Sequence, residues 1–99
     1  MRVMMRVHIP VEAGNAAIKD GSLPKTFQQF METMKPEAAY FVAEGGERTA
    51  YFFFDLKDLS SIPPAAEPFF MRLHAAIDIT PAMNFDEVRA GVATALKAI

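Results

Sequence analysis

Four side chains in this sequence could do chemistry together: Arg6, His8, Tyr51 and Asp78. Arg6 and His8 stand two apart in the run Arg2 to Ile9, and each of the others lies in an alternating run of its own. A guanidinium fork holds anionic groups, and imidazole titrates nearest neutrality. A carboxylate orients either of them, and a phenol donates a hydrogen bond. Brought onto one surface, they predict a ligand site. Arg6 would hold an anionic group, His8 would move a proton, Asp78 would orient one of them and Tyr51 would donate. The plainer alternative is a cross-strand Arg6–Asp78 ion pair, with His8 a satisfied polar residue in an interface. One histidine and one carboxylate match no specific catalytic motif, so no residue is assigned as catalytic.

The remaining sequence excludes several kinds of site. The chain has no cysteine, hence no disulfide, thiolate metal site or thiol nucleophile. His8 and His74 stand far apart without a His-Glu-x-x-His pairing, so no metal is expected. Glu44-Gly45-Gly46-Glu47 lacks the spacing of a phosphate loop and reads as a turn. Ser22, Ser60 and Ser61 stand at helix starts, where they read as caps. Glu12, Asn15 and Lys19 share one helical face and read as a solvated row. No sequence feature calls for a cofactor.

Ten basic and twelve acidic residues give a net charge of −2. That balance, without a basic aromatic-rich run, argues against nucleic acid, although Tyr51 and Phe53 occupy a strand where bases could stack. The segment Met1 to Pro10 is broken by charge too often for a signal peptide, and no run is long enough to span a membrane. A cytoplasmic protein is the expectation. At 99 residues, 52% hydrophobic and 22% charged, the chain reads as one domain over residues 1–99.

Period-two alternation predicts strands at Arg2 to Ile9, Ala39 to Glu44, Arg48 to Leu56 and Ala75 to Thr80. Two glycines between the second and third mark a hairpin. Helical spacing predicts a short helix over Glu12 to Lys19, with Gly21 at its end. A second follows from Ser22 toward Pro36, with the stripe Leu23, Phe27, Phe30, Met31 and Met34. A third helix over Ser60 to Leu73 contains the awkward Pro68, which predicts a late start or a kink, and Phe69, Phe70 and Leu73 should face the core. Asn84 with Glu87 forms a capping box for the last helix, whose stripe is Val88, Val92, Leu96 and Ile99.

The order β-α-β-β-α-β-α predicts a ferredoxin-like α+β fold with an extra C-terminal helix. Its antiparallel sheet should run 4-1-3-2, with the helices on one face. The covered set is Val3, Met5, Val7, Ile9, Phe41, Ala43, Ala50, Phe52, Phe54, Leu56, Ile77 and Ile79. The opposite face is half apolar: Met4, Tyr40, Val42, Tyr51 and Phe53 sit there beside Arg6, His8, Glu44 and Asp78. An apolar patch of this kind marks an interaction surface, and a second copy is the simplest cover. The expectation is a homodimer forming a dimeric α/β barrel. A small molecule would bind between the sheet and the partner.

The runs Ile9 to Leu23, Lys35 to Phe41 and Ile62 to Pro68 resemble a family of small stand-alone bacterial proteins of unknown function. The likeness covers nearly the whole chain and implies no functional residue. In layout the chain is similar to the dimeric α/β-barrel superfamily of muconolactone isomerases, cofactor-free quinone-forming monooxygenases and haem-degrading monooxygenases. The haem-degrading members carry a pocket tryptophan, and this chain has none. The face and its neighbours point to a small-molecule-binding protein, and the likeness in layout implies that an enzyme here would be a cofactor-independent one of isomerase or monooxygenase type. The rival is a non-catalytic interaction or regulatory module whose open face serves only assembly.

Overall fold

Alternating side chains make the strands, and burial follows the alternation. In the computed structural model, which describes residues 1–99, β1 (Arg2–His8) has residues alternately half-buried and buried. After Pro10 come α1 (Val11–Asp20) and α2 (Ser22–Met34). Gly21 separates them at φ 82°, a left-handed conformation that glycine adopts without a Cβ clash. β2 (Ala38–Glu44) and β3 (Glu47–Asp55) form a hairpin, with Gly45 and Gly46 both at positive φ. That is the turn chemistry of a two-residue hairpin loop. A 3-10 turn at Leu59–Ser61 leads into α3 (Ile62–Leu73), then β4 (Ala76–Pro81) and α4 (Phe85–Ala98).

The fold is α+β: one four-stranded antiparallel sheet of order β2-β3-β1-β4, with four helices, consistent with a ferredoxin-like layout. Read from its other edge the order is β4-β1-β3-β2. The core lies between the sheet and α1, α2 and α3. Val3, Met5, Val7 and Ile9 meet Ala50, Phe52, Phe54 and Leu56 there, closed over by Ala17, Phe30, Ala65, Phe69 and Leu73. Phe30, Phe52 and Phe69 pack ring to ring, with centroids 4.4 to 6.2 Å apart. Such pairs add to the burial itself, which is the main driving force.

Several local expectations need correction. Ser22 does not cap α2; the Asp20 carboxylate accepts its N–H instead at 2.8 Å. Likewise Asp58, and neither Ser60 nor Ser61, supplies the side-chain acceptor ahead of α3. A carboxylate two residues upstream of the N–H offers a stronger acceptor than a serine hydroxyl. Pro68 neither delays α3 nor ends it. The helix runs through it, and α3 starts on Ile62 for a different reason, the preceding 3-10 turn. Phe70 is 42% exposed while Phe69 is fully buried, because adjacent residues on a helix face different ways. Phe41, on the helix side of edge strand β2, is 58% exposed, since no helix covers that edge fully.

Candidate functional site

Register decides which side chains meet on the face that α1 to α3 leave open. Across the sheet, Tyr40 opposes Tyr51, Tyr51 opposes Arg6, and Arg6 opposes Asp78. The next rung is Val42, Thr49, His8 and Ala76. The hairpin end adds Glu44 opposite Glu47. Directly opposed residues share a face at about 4.5–5.5 Å between Cβ atoms, close enough for polar side chains to pair. All four candidate residues therefore lie on two adjoining rungs, with Glu44, Glu47 and Thr49 beside them.

Arg6 is the hub. Its Nε donates to Glu44 Oε2 at 2.8 Å, and its Nη2 also pairs with that carboxylate. Nη1 reaches Asp78 Oδ2 at 3.4 Å, and Nη2 approaches His8 Nδ1 at 3.3 Å. The Tyr51 hydroxyl donates to the other Glu44 oxygen. His8 Nδ1 lies 2.9 Å from Thr49 Oγ1, while its Nε2 pairs with Glu47. A guanidinium only donates, so Nδ1 is assigned as the acceptor and the Nε2 hydrogen points to Glu47. Thr49 is 2% exposed, and its single hydroxyl hydrogen lies within reach of two acceptors, His8 Nδ1 at 2.9 Å and the Glu47 carbonyl at 3.2 Å. No buried side-chain polar atom is left without a partner.

This wiring moves protonation equilibria. The Tyr51 hydroxyl, then the Arg6 guanidinium, holds the Glu44 carboxyl below the usual carboxylate range. In return the hydrogen bond to Glu44 raises the Tyr51 phenol, and Glu44 also raises Arg6. One fixed positive charge thus faces three carboxylates, Glu44, Glu47 and Asp78. Arg6 is already engaged by two of them, so an incoming anion would have to displace a carboxylate.

Glu44 is the residue that the sequence reading missed. Alternation had placed it on the open face, but its neighbours Gly45 and Gly46 made it read as part of a turn. The signal was the parity of β2. His74 and the Glu12–Asn15–Lys19 row stand apart from this cluster and are exposed. No group of three or more histidines, cysteines or carboxylates is arranged to hold a metal ion. A groove of about 360 Å³ between α2 and α3 lies off the cluster, and one of about 370 Å³ between α2 and the β2 edge reaches the cluster only at Thr49. No helix is long and apolar enough to cross a membrane. Comparison with protein-family models and with curated proteins returns no match for this chain.

Proposed function

We propose that this chain is a cytoplasmic small-molecule-binding protein, with a cofactor-independent enzyme of isomerase or monooxygenase type as its catalytic form. It works as a homodimer in which two open sheet faces enclose the Arg6 cluster, as in the dimeric α/β barrels it resembles in layout. The observation that carries the reading is one hydrogen-bonded network joining Arg6, His8, Glu44, Glu47 and Tyr51 on an otherwise half-apolar face. Convergent polar groups within apolar walls are the usual makeup of a ligand pocket. Within it His8 is the proton carrier: Glu47 stands behind Nε2, and a ligand reaches the Nδ1 lone pair by displacing Arg6 and Thr49 from it. The three carboxylates favour a ligand that donates hydrogen bonds, such as a phenol or an enol, over a simple anion.

A second reading has its own support. The network is closed on itself, as a structural cluster in a non-catalytic interaction module would be, its open face serving only assembly. Native mass spectrometry of freshly purified protein separates the two. A dimer carrying extra bound mass, lost in Arg6→Ala and His8→Ala, supports the ligand site. A bare dimer that ignores both substitutions favours the assembly module. A monomer overturns both.

A further inference from the structure

The last helix is the least accounted-for part of the molecule. α4 buries no residue, although Phe85, Val88, Val92 and Leu96 form an apolar stripe that Ile99 continues just beyond its end. Leu96 is 67% and Phe85 is 72% exposed. The helix is nevertheless held firmly at its base. Asn84 and Glu87 form a reciprocal capping box, Arg2 pairs with Glu87, and Arg2 Nη1 donates to the Ala82 carbonyl at 3.2 Å. With its start fixed and its stripe uncovered, α4 stands out from the body, and the whole chain measures 55 Å along its longest axis against 28 and 18 Å.

We infer that α4 is a clasp that docks on a second copy of this chain, in the apolar groove at the partner's β2 edge. The inference rests on the homodimer of the preceding reading. Leu23, Phe27, Phe41 and Val42 line that groove. Symmetry brings the two surfaces together. When two copies face each other across a two-fold axis parallel to the strands, the order β2-β3-β1-β4 sets β4 of one copy over β2 of the other. α4 follows β4 after a short connection, so it starts beside the opposite β2 edge and wraps around that edge strand to reach the groove on its α2 side. At about 1.5 Å per residue the helix is roughly 21 Å long, enough to run along that edge strand.

The area is sufficient as well. An aromatic side chain presents about 150–250 Å² when bare and an aliphatic one less, so the five partly exposed side chains of the stripe offer on the order of 500 Å² per chain. Two reciprocal contacts with matching receiving surface then bury about 2,000 Å², the size of a stable interface. Within one chain neither surface has a cover.

The absence of cysteine makes the test clean. Val42→Cys in one preparation and Leu96→Cys in another are mixed and treated with a short bismaleimide, while sedimentation equilibrium follows wild type and Leu96→Asp. The expected result is a covalent heterodimer and at least about a tenfold weaker dimer for Leu96→Asp, with unchanged helical circular dichroism. A dimer that neither cross-links nor weakens would overturn the clasp and leave the homodimer standing. A monomeric wild type would overturn both. If that monomer sedimented with phosphatidylcholine vesicles, the stripe would belong to a lipid surface instead.

Discussion

Phe52 and Tyr40 offer the sharpest contrast in the sheet, because they lie on opposite faces of neighbouring strands. Phe52 is fully buried and packs on Phe30 at 4.4 Å and on Phe27, Phe41 and Phe69 at 5.9 to 6.2 Å. Phe52→Ala removes the ring from the centre of the core, which costs about 3–5 kcal/mol. In a domain of this size that lowers the melting temperature by roughly 12–40 °C. Phe52→Leu keeps most of the volume and should cost about 1–2 kcal/mol. Tyr40 is 63% exposed on the open face. In an isolated chain Tyr40→Ala changes stability by no more than about 0.5 kcal/mol. Under a second copy it costs more, and the loss grows with protein concentration because association stabilises the folded state. Thermal melts over a wide range of protein concentration read both effects. Equal losses for Phe52→Ala and Tyr40→Ala at low concentration would refute the assignment of faces. A Tyr40→Ala effect that stays small at every concentration would refute the covered open face.

Two further outcomes follow from the ends of the elements. Asn84→Ala removes the cap of α4 and costs that helix about 0.5–2 kcal/mol, read as faster amide exchange over residues 85–90 while the core strands stay protected. Uniform loss of protection would contradict a helix that stands apart from the core. In acid, the carboxylates lose their partners. Asp55 is held at about 2, first by the Lys57 ammonium and then by the N-terminal amine. Glu87, bonded by the Asn84 N–H and then by Arg2, and Glu44 are lowered as well. A lowered folded value means stabilisation that is complete above the ordinary carboxylate range and is lost as pH falls through that value. Urea midpoints should therefore decline below the ordinary carboxylate range and continue declining toward pH 2. Asp55→Asn should remove the most acidic part of that decline, and an identical profile for the variant would reject the ion pair. Both Asp55 partners are largely exposed, so salt should shallow the same limb.

Much of this protein is legible in its local patterns. Alternation along Arg2 to His8 put Val3, Met5 and Val7 on one face and Met4, Arg6 and His8 on the other. Gly45-Gly46 marked a hairpin, and Asn84 with Glu87 marked a helix start. Each follows from the bonded geometry of a few consecutive residues, so a short window of sequence suffices. Membership of the open face was legible in the same way, since parity alone assigns Arg6, His8, Tyr51 and Asp78 to it.

Tertiary structure alone decided who meets whom on that face. Parity is blind to register, and a rung joins strands that lie far apart in the chain. Strand order already suggested an Arg6–Asp78 pair, but only the observed register sets those two directly opposite and puts Tyr51 against Arg6. Only side-chain reach brings Glu44 from the hairpin end back to both Arg6 and Tyr51. The last helix shows the same boundary from the other side. Its stripe declares by periodicity that one face needs cover, yet the body of its own chain does not supply it. Periodicity records the need for an apolar contact, and three-dimensional placement determines which surface is within reach to meet it.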